Sequence, residues 1–231
     1  MRRFYVEHIT NDTLQLPEEE SKHVIRVLRM QIGDCIELVD GKGTLVKAEI
    51  TSDQAKKCAV QVVERSIMEK DSYSIHIAIA PTKNLDRMEW MVEKCTELGV
   101  HKISFLRCKN NERKVLKLDR LQKIAIAAMK QSKRYFIPQL TGLVDFDSFI
   151  DSHPKGYIAH CYANRKESLY SAYSANEQPI LIGPEGDFSE EEVAKAINSG
   201  YISVTLGDTR LRTETAGLYS CSIAKLKMEE K

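Results

Sequence analysis

Two short stretches near the end of the chain hold residue types that could do chemistry. One is Gly183-Pro184-Glu185-Gly186-Asp187-Phe188, which follows the apolar run Ile180-Leu181-Ile182. The other is Gly207-Asp208-Thr209-Arg210, which follows Ile202 to Leu206 and leads into Leu211-Arg212-Thr213-Glu214-Thr215-Ala216. Both apolar runs have strand length and composition, so each Gly-bearing stretch belongs at a strand's carboxyl end. Ligands of open α/β sheets sit there, and glycine lets backbone N–H and C=O groups approach them closely. Ser189 with Glu192 reads as a capping box opening the next helix. Thr213 or Thr215 can cap the final helix, while Arg212 and Glu214 bracket Thr213 and point toward the rim that holds Gly183. Two such loops on successive strands predict a cleft. Taken singly, a Gly-Pro turn is also ordinary punctuation, and an exposed Arg–Glu pair is also an ordinary surface salt bridge worth under about 1 kcal/mol.

Neither loop carries the G-x-G-x-x-G pattern of dinucleotide sites or the G-x-x-x-x-G-K-[ST] pattern of phosphate loops, and there is no G-x-S-x-G elbow. Pyrophosphate cofactors and a serine nucleophile are therefore not expected. The six cysteines are scattered, with no C-x-x-C pair and no histidine at metal-ligand spacing, so they read as reduced packing residues and no metal is expected.

Alternating strands and helices must position the two loops. From Ser74 onward the pattern is strand Ser74 to Ala80, helix Leu85 to Leu98 stopped by Gly99, strand Lys102 to Leu106, helix Leu118 to Ser132, then strands Gly156 to His160, Pro179 to Ile182 and Ile202 to Leu206. Such alternation calls for a mostly parallel sheet with helices on both faces. The first 70 residues read differently, as short strands Arg3 to Glu7, Asp34 to Val39, Thr44 to Thr51 and Cys58 to Glu64, with a hairpin at Asp40-Gly41-Lys42-Gly43. One helix interrupts them, opened by Pro17 and Glu18 to Glu20, with Val24, Ile25, Val27 and Leu28 as its buried side. The polar stretch Ser66 to Ser72 marks a linker, giving domains 1–70, a small β-barrel, and 71–231, an α/β unit.

With 231 residues, 42% hydrophobic and 29% charged, the chain has the balance of an ordinary globular protein. No apolar run reaches a membrane span and the start lacks a signal-peptide core, so the cytosol is the expected compartment and a membrane is not an expected partner. The net charge of +1 hides an uneven distribution: residues 101–140 carry eleven Lys or Arg against Glu112 and Asp119. That segment could face phosphates, or could be a solvated helical surface.

Six motifs in order resemble the RsmE family, bacterial 16S ribosomal RNA uridine-N3 methyltransferases of the SPOUT superfamily. They are His23 with Val27-Leu28-Arg29, Lys94-Cys95-Thr96-Glu97-Leu98-Gly99-Val100, Asn111-Glu112-Arg113, Gln131-Ser132-Lys133-Arg134, Gly183-Pro184-Glu185-Gly186 and Leu211-Arg212-Thr213-Glu214-Thr215-Ala216. The likeness spans nearly the whole chain. It departs at Asp187, where the family commonly has a second glycine, at Cys95, more often alanine, and at Lys130, frequently Glu.

This resemblance implies a PUA-like RNA-binding β-barrel over 1–70 and a SPOUT methyltransferase domain over 71–231 whose backbone forms a trefoil knot around S-adenosylmethionine. It implies a homodimer acting on 16S rRNA or the small ribosomal subunit, with no DNA partner. Carried over, the cofactor set is Ile182, Gly183, Pro184, Glu185, Gly186, Leu206, Gly207, Leu211 and Thr215. Arg212 would stabilise charge on the uracil edge while Glu214, or another acceptor such as Glu185, takes the N3 proton; equally, Arg212 could orient Glu214 or hold the cofactor carboxylate. His23, Arg26, Arg29, Arg113, Lys133 and Arg134 are the expected RNA contacts, although a histidine on a half-buried helix is often only structural. The alternatives are an RNA-binding or ribosome-assembly factor without turnover, and an enzyme acting on a ribose 2′-hydroxyl.

Overall fold

A computed structural model describes residues 1–162, 166–174 and 178–230. The chain divides into two compact units, residues 1–70 with 126–137, and residues 71–125 with 138–230 of the described chain.

The first unit is built on five strands, β1 Arg3–Tyr5, β2 Thr13–Gln15, β3 Cys35–Val39, β4 Thr44–Ser52 and β5 Ala59–Ile67, in the spatial order β1-β3-β4-β5-β2. β1 and β3 are parallel and the other pairs antiparallel. Alternation along β4 sends Val46, Ala48 and Ile50 inward against Phe4, Leu16, Ile36, Leu38 and Val60. The β3–β4 turn is held by Asp40, whose Oδ1 accepts from the N–H groups of Lys42 at 2.7 Å and Thr44 at 3.0 Å. Residues 126–137 complete this unit: Lys130 pairs with Glu20, Arg3 Nη1 donates to the Arg134 carbonyl at 3.2 Å, and the Ile137 N–H donates to the Gly41 carbonyl at 2.9 Å.

The helix α1, Glu18–Lys22, does not continue as an ordinary α-helix. It passes into a π-helical turn over His23–Val27, where the Leu28 N–H reaches back to the His23 carbonyl at 3.0 Å. The wider turn breaks the 3.6-residue period, and Val27, expected in the buried side, is 68% exposed, whereas Val24 is buried and Ile25 and Leu28 pack partly against the core.

The second unit is a seven-stranded, wholly parallel sheet: β6 His76–Ile79, β7 Lys102–Arg107, β8 Gln139–Asp145, β9 Gly156–Ala159, β10 Glu167–Ser168, β11 Ile180–Ile182 and β12 Tyr201–Thr205, in the order β10-β12-β9-β11-β6-β7-β8. Its helices are α2 Leu85–Leu98, α3 Leu118–Gln131, α4 Phe146–Ser152, α5 Leu169–Ala172, α6 Glu190–Asn198 and α7 Thr213–Glu229; the last residues of α3 count with the first unit. α2 and α7 pack together, with α7 on β6 and β11, while α4 and α6 pack together by β7, β8 and β12. Successive β6 side chains face opposite ways, Ala78 and Ala80 toward Phe146, Phe149 and Phe188, and Ile79 toward α7. α7 approaches so closely that a Cβ on Gly217 would stand 2.8 Å from Ile79 Cδ1.

Four of the six cysteines are buried as packing residues; Cys35 and Cys161 are exposed, a correction to the expectation for those two. β2, β8, β10, α4 and α5 were not legible. β8 is an edge strand whose interior residues are all half-buried, so it lacks a clean alternation.

His76 sits in β6 with its Nε2 2.9 Å from Ser104 Oγ, edge-on to Phe149. Burial, then Lys102 and His153, push its pKa from 6.5 down to about 3. The unfolded chain therefore binds a proton that the folded chain refuses between about pH 6.5 and 3, so this group's contribution is intact above pH 6.5 and falls by up to about 1.4 kcal/mol per pH unit below it. Urea unfolding at pH 7, 5.5 and 4 should show that slope, and His76→Gln should flatten it while lowering stability at pH 7.

Candidate functional site

A cleft of about 760 Å³ opens in the second unit at the carboxyl ends of β9, β11 and β12. Its walls come from Ala159, His160 and Cys161 after β9, from Ile182 to Glu185 and Asp187 after β11, and from Val204 to Leu211 along and after β12. Arg212, Thr213 and Ala216 of the α7 start, Lys166, and Arg87 of α2 complete it.

The two loops are joined by one buried contact. Thr213, 5% exposed, donates its hydroxyl to the Gly183 carbonyl at 3.1 Å. This corrects the capping expectation: Arg212 is the N-cap residue of α7, without a side-chain cap bond, and the Thr213 hydroxyl is used on the neighbouring loop. Gly183 is closely packed: a Cβ there would lie 3.0 Å from the Phe188 backbone nitrogen and 3.1 Å from its ring, so a side chain would require Phe188 to give by a few tenths of an ångström.

Asp187, at the position where the resemblance implies that a glycine is common, adopts a left-handed backbone at φ 64°. Aspartate tolerates that region better than most residues when its carboxylate bonds locally. Here Oδ1 accepts from the Phe188 N–H at 2.8 Å and Oδ2 from the Cys161 N–H at 2.7 Å, fastening the β11 loop to the end of β9. Asn110 Nδ2 donates to the carbonyls of Gly186 and Asp187, and Glu185 Oε1 accepts from the Lys83 N–H at 2.9 Å. The expected capping box is present, with Ser189 Oγ accepting from the Glu192 N–H and Glu192 Oε2 accepting from the Ser189 N–H.

At the β9 end, His160 Nε2 lies 2.6 Å from Ser203 Oγ, and Lys166 Nζ donates to the carbonyls of His160 and Tyr162. Burial lowers both pKa values; nearby Lys166 lowers His160 further, and Asp187 opposes the shift in both. The result is a neutral imidazole at physiological pH.

Of the expected cofactor residues, Ile182, Gly183, Pro184, Glu185, Leu206, Gly207 and Leu211 line the cleft. Gly186 and Thr215 are outside the lining: Gly186 packs on Asn110, and Thr215 is exposed on α7. Arg212 lines the cleft with an exposed side chain. Glu214 is not in the lining; it is 6% exposed, its Oε2 is buried without a partner, and its Oε1 lies 3.6 Å from Arg87 Nε. The expected Arg212–Glu214 couple toward one rim is thus replaced by Arg87–Glu214.

Among the expected RNA contacts, His23, Arg26, Arg29 and Lys133 are exposed and Arg134 is half-buried, all in the first unit. His23 stands edge-on to Phe4 at 5.7 Å. Arg113, in the second unit, turns inward and donates to the carbonyls of Thr82 and Lys83. The basic tract is not one open face, since Arg107, Lys109, Arg120 and Lys130 pair with Asp145, Glu191, Glu89 and Glu20.

Arg87, His160 and Lys166 enter the lining without having been singled out, and Asp208 to Arg210, named as part of the second loop, enter it without having been assigned to the cofactor set. The segment that joins β6 to α2 has no glycine, so the pattern that marked the other two loops is missing before Arg87, and Lys166 has no local signal either. The lining pairs apolar Ala159, Ile182, Pro184, Leu206, Leu211 and Ala216 with exposed backbone and charged groups, which fits a nucleoside carrying a charged amino-acid tail, and the volume is that of a small-molecule site.

Comparison with known proteins agrees with this geometry. The model of the RNA methyltransferase domain matches residues 69–225, and that of the RNA methyltransferase PUA domain matches residues 16–63. The fold and cleft are therefore those of a PUA-linked RNA methyltransferase. The Ribosomal RNA small subunit methyltransferase E of Bacillus subtilis is 29% identical over 99% of this chain and 98% of its own. That of Synechocystis is 30% identical over 91% of this chain and 72% of its own. Among solved structures, a probable rRNA-methyltransferase from Porphyromonas gingivalis superimposes with TM-score 0.89 at 39% identity over 96% of each chain. A Ribosomal RNA small subunit methyltransferase E from Neisseria gonorrhoeae, bound to S-adenosyl methionine, does so with TM-score 0.86 at 26% identity over 98% of each chain. The chain belongs to the ribosomal RNA small subunit methyltransferase E family.

Thr213→Val removes the loop-joining hydroxyl at nearly constant shape. It should destabilise the fold by about 1 kcal/mol and weaken S-adenosylhomocysteine binding about fivefold, whereas Thr213→Ser should keep both near wild type, as calorimetry and urea unfolding would register.

Proposed function

We propose that this chain is an S-adenosylmethionine-dependent methyltransferase that methylates N3 of a uridine in the 16S rRNA of the small ribosomal subunit. One observation carries the reading: a cleft suited to a nucleoside with an amino-acid tail lies in a chain matched end to end by a relative solved with S-adenosyl methionine. When bound, that cofactor supplies a methyl group already activated on a sulfonium.

Ile182, Pro184, Leu206 and Leu211 would bury the flat adenine, while the backbone of Gly183, Glu185 and Gly207 would meet its polar edges; Gly186 and Thr215, outside the lining, are the weakest members of the set. Arg212, free at the mouth of α7, would stabilise negative charge on the uracil edge as the N3 proton leaves. Glu185 is the better placed acceptor, since it is exposed in the cleft with Oε2 unengaged by the Lys83 N–H, and it would take the proton through water. Glu214 is buried behind the lining, away from the position of an acceptor for the N3 proton.

Residues 1–70 are assigned to RNA binding through His23, Arg26 and Arg29, joined by Lys133 and Arg134 of the same unit; Arg113 would follow only through the nitrogen left over from its loop bonds. Arg29 and Lys133 both hold left-handed backbones, φ 55° and 57°, a strain that side-chain placement at a binding surface would explain. Because base pairing hides N3, the target uridine is unpaired or flipped out. A trefoil knot is favoured by the insertion of β12 between β9 and β10 and of β11 between β9 and β6, late strands entering the middle of the sheet. A homodimer is favoured by Trp90 on α2 and by Tyr219 and Leu226, seven residues apart on α7, all exposed. Among the described residues no helix is long and apolar enough to cross a membrane, in keeping with work on ribosomal RNA in the cytoplasm.

Incubating the protein with small subunits that lack the modification should give 3-methyluridine on nucleoside mass spectrometry, and Arg212→Ala should lower turnover about 100-fold with cofactor affinity kept within threefold or so. A 2′-O-methyl product would contradict the base assignment, and no product from protein that binds both cofactor and RNA would favour a non-catalytic assembly role.

A further inference from the structure

Arg87 lies in the first turn of α2, the helix that Asn84 opens by accepting the Asp86 N–H on its side chain at 2.9 Å. Arg87 lines the cleft, with its side chain 38% exposed. Behind it stands Glu214, an acid buried to 6% whose Oε2 has no partner. An ionised carboxylate in such a place requires a cation, and the described cation beside it is Arg87, with Nε 3.6 Å from Oε1. That separation holds the two by charge without a hydrogen bond, and among the described residues no acceptor lies within hydrogen-bond range of Arg87. The guanidinium is thus anchored from behind while its donors remain available on the cleft side. A planar, permanently charged fork of this kind suits an oxygen anion and can bind it through two parallel N–H groups.

The geometry points to Arg87 as an anion-binding residue of the cleft and to Glu214 as the residue that positions it. This deepens the methyltransferase reading and rests on it. The anion it takes is a carboxylate or an oxyanion, supplied either by the amino-acid tail of the cofactor or by the target nucleotide. Glu214 then acts through Arg87: it keeps the guanidinium at the wall of the cleft and prevents it from extending into solvent. Arg212 approaches the same cleft from the N-cap of α7, so the two arginines reach it from different helices.

The test is calorimetric titration of wild type, Arg87→Lys, Arg87→Ala and Glu214→Gln with S-adenosylhomocysteine, which has the carboxylate, and with 5′-methylthioadenosine, which lacks it, alongside kcat and KM for RNA methylation. If the anion is the cofactor tail, Arg87→Ala should weaken S-adenosylhomocysteine about tenfold or more and leave 5′-methylthioadenosine unchanged; Arg87→Lys should recover part of the loss, and Glu214→Gln should fall between. If the anion is on the nucleotide, both ligands should bind as in wild type while KM for RNA rises, or kcat falls, about tenfold in the same order of variants. Equal weakening of both ligands together with a lowered Tm would make the pair a structural salt bridge and overturn the proposal. So would variants that match wild type in every readout. Wild type that binds neither ligand would instead remove the methyltransferase reading, and this proposal with it.

Discussion

The site depends on a single buried hydrogen bond, from the Thr213 hydroxyl to the Gly183 carbonyl. β11 and β12 are not neighbours in the sheet; β9 runs between them. Their loops therefore have no ladder of their own to fix their separation, and a side chain must set it. Thr213 does so from the first residue of α7, so the position of the longest helix and the shape of the cleft are decided together. An unmet carbonyl at that depth would carry a desolvation cost of about 1–3 kcal/mol, which explains why the threonine is used on the neighbouring loop rather than as a helix cap.

The other supports of the cleft lie nearer the surface, where backbone groups at loop turns are met by side chains from distant sequence. Asp187 meets the Cys161 N–H, Asn110 meets the carbonyls of Gly186 and Asp187, and Glu185 meets the Lys83 N–H. Asp187 shows how a residue other than glycine can hold a left-handed turn. A carboxylate that accepts two backbone N–H groups offsets the left-handed backbone that glycine would have adopted freely. Charge follows the same pattern of long-range matching, since Arg107, Lys109, Arg120 and Lys130 of the basic tract are each met by an acid.

Legibility in the sequence tracked how local the cause was. α2 has the bounds its sequence suggests, because Asn84 caps it, one face is continuously apolar, and Gly99 ends it at φ 90°. The loops after β11 and β12 were readable because glycines at strand ends carry their meaning in a few residues. The exposure of Val27 was not, because a π-turn changes the period without a distinct composition. Nor was the return of 126–137 to the first unit, which depends on contacts with Glu20, Arg3 and Gly41 more than ninety residues away. The pairing of Glu214 was misjudged for the same reason: Arg212 is its neighbour in sequence, but Arg87, from another helix, is its neighbour in space.

The central claim is that the two loops, joined at Thr213, form one binding site for the methyl donor. Hydrogen–deuterium exchange of the protein with and without S-adenosylhomocysteine tests it most directly. The account predicts slowed exchange together at residues 183–188 and 205–213, the two walls of the cleft, with the amides of β3 to β5 in the first unit unchanged. Ligand binding that left both loops unaltered, or protected one of them alone, would contradict it.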